Sequence, residues 1–94
     1  KYLFDEEYLL AKSEECIQSE NYTEALFYAK QALKANPFEV KNWRNAAMCA
    51  LTAEEISLMG AYIDEGLAIF PEDEKLLLLK DMINGALEDM EVSE

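Results

Sequence analysis

The sequence predicts an all-α fold of stacked antiparallel helical hairpins: two helix–turn–helix units and a closing helix. Three observations carry that expectation. Only three glycines and two prolines interrupt 94 residues rich in Ala, Leu, Glu and Lys, a composition that favours helix throughout. Pro37 and Pro71 each close an apolar stretch and stand one repeat apart, at the helix–turn–helix period of about 34 residues. Ala25 and Ala32 lie two helical turns apart on one stripe, which permits very close approach by a neighbouring helix.

The first helix is expected over residues 5–19, with Tyr8, Leu9, Ala11, Cys16 and Ile17 on its apolar side. Phe4 precedes it as a packing residue, and Asp5, Glu6 and Glu7 suit the positive end of the helix dipole. The second is expected over 22–35, opened by a capping box of Asn21 and Glu24 and ended by Pro37. So short a connection makes these two helices an antiparallel hairpin. The third, over 39–51, carries Val40, Trp43, Ala46, Ala47 and Ala50. A second capping box, Thr52 with Glu55, starts the fourth between 53 and 56, and it runs to 70. The fifth is expected over 72–89, with a frayed tail from Met90 to Glu94. Leu9, Trp43 and Leu77 recur at one phase, giving an apolar anchor to each odd-numbered helix.

This length allows one domain over residues 1–94, organised as repeats 6–39 and 40–73 and a closing helix 72–89. The chain opens on Lys1 rather than Met and is read as a piece of a longer protein. Twenty acidic against eight basic residues give a net charge of −12, a field that repels nucleic acid and anionic lipid. No apolar run approaches the roughly 18 residues of a membrane span, so membrane insertion is not expected.

Chemistry is hard to place on this chain. With no histidine and no Cys-x-x-Cys spacing, Cys16 and Cys49 read as buried thiols rather than zinc ligands or a disulfide. They point to a reducing, cytoplasmic setting. The acidic runs Glu14/Glu15, Glu54/Glu55 and Glu72/Asp73/Glu74 read as solvated faces, because adjacent helical residues do not converge on one point. A base for Ser or Cys nucleophiles is missing, as are a phosphate loop and a calcium loop. The expectation is a non-enzyme with no cofactor and no metal. Phe27, Tyr28, Tyr62 and Phe70 recur at helical spacing and read as packing rather than a ligand cage.

Taken together, Leu9, Ser13, Tyr22, Ala25, Ala32, Leu33 and Pro37, then Trp43, Ala46, Ala47, Gly66 and Pro71, give the chain its resemblance to tetratricopeptide repeat proteins. The match covers nearly the whole length. It departs where Lys12 replaces a leucine and Cys16 an aromatic residue. In the second repeat Ala50 and Met59 exchange sizes across one helix contact, and Gly60 weakens the helix interior by about 1 kcal/mol. The resemblance implies a right-handed superhelix whose concave wall comes from the first helix of each repeat. It also implies a protein-interaction role.

On that wall the resemblance and the helix wheel place Glu7, Leu10, Ala11 and Glu14, then Lys41, Arg44, Asn45 and Met48, then Lys75, Leu78, Leu79 and Met82. Leu10, Lys41, Arg44, Asn45, Met48, Lys75, Leu79 and Met82 are the expected peptide-binding residues, with a protein or peptide as partner. Members of the family that grip chaperone tails use a Lys–Asn–Asn–Lys–Arg set. Asn45 and Lys75 match two of those places, and Leu10, Glu14 and Leu79 fill the others, which argues against that ligand. Competing roles are a stacking or oligomerisation segment, with self-association through the Leu76–Leu79 helix, and a chaperone for a secreted or membrane client.

Overall fold

The computed structural model describes residues 6–92 of the chain, with side chains through residue 85. Five helices follow one another: α1 (Glu6–Gln18), α2 (Tyr22–Ala35), α3 (Val40–Thr52), α4 (Ile56–Ile69) and α5 (Glu74–Val92). Among the described residues there is no strand. Sequential helices pack on one another and α1 also meets α3, so the hairpins stack as an elongated body of 52 × 29 × 16 Å. This is the all-α, repeat-like arrangement expected from the prolines.

Small residues let the helices approach closely. Ala25, Ala29, Ala32, Ala46, Ala47 and Ala50 are all fully buried, and Trp43, Met59, Ile63 and Leu76 supply the bulk around them. Gly66 sits where three helices converge. A methyl group there would lie 3.1 Å from Trp43 Cβ and 3.0 Å from Leu76 Cδ1. Ala50 and Met59, the two positions expected to exchange sizes, are both fully buried in this core. The Trp43 indole donates to the carbonyl of Pro37 at 2.7 Å, which fixes the α2–α3 turn against the ring.

The hairpin turns differ from expectation. Neither Asn21 nor Glu55 makes a side-chain cap bond, and Thr52 is the last residue of α3, its hydroxyl donating to the Cys49 carbonyl. The helix ends are satisfied from the other side. Glu20 donates to Ile17 and Asn21 to Cys16; one repeat later Glu54 donates to Leu51 and Glu55 to Ala50. Both are Schellman closures, with Glu20 and Glu54 at positive φ where glycine is usual.

Among the described side chains of α5 the buried leucines are Leu76 and Leu79, while Leu77 is 43% exposed, unlike its register partners Leu9 and Trp43. Those two are covered by the second helix of their own hairpin, and no described element plays that part for Leu77. The helix continues to Val92 rather than ending at Asp89. Phe4, Asp5, Ser93 and Glu94 lie outside the described residues, as do the side chains of Ala86, Leu87 and Met90.

Candidate functional site: the α1–α3–α5 wall

By the 34-residue period, Glu7, Lys41 and Lys75 hold equivalent positions in α1, α3 and α5, as do Leu10, Arg44 and Leu78, and Glu14, Met48 and Met82. Lys41 and Lys75 are exposed and make no ion pair among the described residues. Met48, Leu78 and Met82 are exposed as well, and Leu10 is half-buried.

Three expected contact residues are engaged within the fold. Arg44 grips Asp73 with both arms of its guanidinium, Nη2 to Oδ1 and Nε to Oδ2 at 3.1 Å. The same Asp73 oxygen accepts the backbone N–H of Leu76 at 2.9 Å, so one carboxylate caps α5 and ties it to α3. The bond to Arg44, followed by the caps at the start of α5, holds the Asp73 carboxyl below its ordinary range. Asp73 is thus no part of a solvated acidic run. Asn45 donates to Ser13 Oγ at 3.1 Å, and the Ser13 hydroxyl donates to the Leu10 carbonyl at 2.8 Å, stitching α3 to α1 inside the wall. Leu79, 3% exposed, belongs to the core and not to the wall. The four consecutive leucines had left that phase ambiguous.

Below the wall lies a polar knot that helical periodicity did not single out. Asn42 is fully buried, and its amide nitrogen donates to Glu6 Oε2 at 2.9 Å, to the Asn36 carbonyl at 2.9 Å and, more distantly, to the Ala32 carbonyl. Asn36 adds a bond to Glu6 Oε1 at 3.2 Å. Asn42 Oδ1 faces no donor, yet turning the amide would aim it at a carboxylate and two carbonyls, so the nitrogen-inward orientation is the favourable one. The only sequence signal was a polar residue beside Trp43, on a face that the fold buries.

The cysteines are free and buried. Burial, with a smaller contribution from nearby Cys16, pushes the Cys49 thiol up to about 11, the opposite of an activated nucleophile. Among the described residues no group of three or more His, Cys, Asp or Glu side chains is placed to hold a metal ion, and no helix is long and apolar enough to cross a membrane. A scan against protein-family models and a search of curated proteins both return no match for this chain.

Proposed function

We propose that this chain is a tetratricopeptide-like interaction module that holds a peptide segment of a partner protein along the α1–α3–α5 wall. The observation that carries the reading is that Lys41 and Lys75, without ion pairs among the described residues, and Met48, Leu78 and Met82 are all exposed at wall positions of an otherwise acidic chain. The matching ligand presents apolar side chains to the Met/Leu surface and an acidic group to the two lysines. Net repulsion from a chain of charge −12 is screened beyond about 8 Å at physiological salt, whereas direct lysine–carboxylate pairs are screened less. Affinity is therefore modest and does not simply rise as salt is lowered. Cytoplasmic residence belongs to the same reading and rests on the two buried free thiols.

Affinity capture from the native host extract, followed by titration of the captured partner, tests the proposal. The variant is Lys41→Glu with Lys75→Glu, sparing Arg44 because its loss would unseat Asp73. Loss of binding with an unchanged helical circular dichroism spectrum supports the wall as the site. Undiminished binding refutes it. A stacking role is the second reading, favoured by exposed Leu77 and Leu78, and sedimentation showing a concentration-dependent dimer would select it.

A further inference from the structure

A cleft of about 270 Å³ opens between α4 and α5. Gly60, Ile63 and Ile83 are among the residues that line it, with Ile56 at one end and Asp64, Lys80 and Asn84 along its edge. One repeat earlier the three lining positions are Leu26, Ala29 and Cys49, all buried in the interior of the stack. Likewise Lys80 and Asn84 correspond to Ala46 and Ala50, both fully buried in α3, the helix on which α4 packs. The cleft is therefore the repeat-equivalent of a surface that carries a helix inside this same molecule.

Two differences describe the occupant. Gly60 leaves a notch, since a Cβ placed there would meet only Ile83 Cδ1 at 4.0 Å. A large apolar side chain can enter where Leu26 fills the inner copy. Lys80 and Asn84 stand where α3 has alanines, which holds a helix farther off than α4 sits from α3 and favours reversible docking over permanent stacking. Asp64 and Lys80 pair at 2.6 Å across the edge, leaving exposed Asp81 nearby and Glu54 and Glu55 beside the Ile56 end as uncompensated negative charge.

We propose that the α4/α5 cleft seats a cationic amphipathic helix of a partner protein. Its apolar stripe lies on Ile56 and Ile83 around the Gly60 notch, whose floor is the buried Ile63, and its lysines or arginines meet the acidic surround. This seat is separate from the α1–α3–α5 wall and does not depend on the reading of that wall.

The probe is a Leu/Lys peptide as long as α4, 14 residues, with leucines at helical stripe spacing. The control is a scrambled peptide of identical composition and charge. Amide chemical shifts at Ile56, Gly60 and Ile83 are expected to move with the patterned peptide. Gly60→Leu fills the notch while improving helix propensity, and is expected to weaken binding by about tenfold. Asp64→Lys combined with Asp81→Lys weakens it as well, whereas Lys41→Glu with Lys75→Glu does not. Equal binding of the scrambled peptide, shifts confined to α1 and α3, or full affinity in both the Gly60→Leu and the charge-reversed variants would overturn the proposal.

Discussion

Glu20 and Glu54 hold the same left-handed backbone conformation one repeat apart, with φ of 64° and 62°. Each closes the first helix of its hairpin and lets the chain reverse into the second. A side chain in that conformation costs about 1–2 kcal/mol, and a glutamate also faces the negative end of the helix dipole. The entropy of a glycine in the unfolded chain offsets about 0.5–1 kcal/mol of any gain from replacing them. Glu20→Gly and Glu54→Gly should each stabilise the fold by about 0.5–1 kcal/mol and add when combined. Urea denaturation measures this, and a loss of stability at either position would remove the strain argument.

The two interior glycines of α4 should respond in opposite directions to alanine. At Gly60 the new methyl meets only the end of Ile83, so Gly60→Ala gains about 0.5–1 kcal/mol of helix propensity. At Gly66 it collides with Trp43 Cβ, which is anchored to the backbone, and Gly66→Ala loses about 1–3 kcal/mol despite the same propensity gain. Thermal melts of the two variants should therefore straddle the parent protein.

Acid should weaken the α3–α5 tie. The Asp73 carboxyl is held low by Arg44, so its contribution is present above the unfolded carboxylate value, near 3.9, and is lost as pH falls through the folded one. Asp73→Ala should cost about 1–2 kcal/mol at neutral pH, most of it from the lost helix cap because Arg44 is 40% exposed. Stability profiles of parent and variant should converge below about pH 4. Parallel profiles down to pH 2 would count against the assignment.

Cys49 should be inert in the folded chain. A thiol at about 11 presents roughly a thousandth of its molecules as thiolate at pH 8, and the side chain is fully buried. Alkylation of Cys49 should proceed only as fast as the chain opens and become rapid in urea. Because the folded value lies above the unfolded one, near 8.5, its contribution is complete below that pH. It declines as pH rises toward 11.

The helices, and their phase except in α5, were legible because Pro37, Pro71 and the alanine stripe speak through backbone geometry that any observer of spacing can read. The turns were not. Glycine would have announced a left-handed closure at positions 20 and 54, and glutamate there looks like an ordinary surface residue. Lys41 and Lys75 could be placed by counting repeats, but the engagement of Arg44 could not, since its partner lies 29 positions away at the mouth of another helix. Leu79 was misassigned because four leucines in a row satisfy every face of a helix equally. Asn42 was passed over because burial of an amide depends on donors and acceptors contributed by α1 and the α2–α3 turn.

The packing of each helix chiefly on its sequence neighbours decides how the chain comes apart. Contacts of this kind close short loops, so little entropy is spent before they form, and folding is expected to be fast for the chain's size. Among the described residues α3 packs against α1, α2 and α4 and is tied to α5 through Arg44, whereas α5 packs chiefly on α4. Amide hydrogens of α5 should exchange first, those of α3 last, with a gradient between them rather than one common rate. A protease or an unfolding motor engaging the α5 end would then meet a zipper that opens turn by turn, and the central hairpin would be its last tooth.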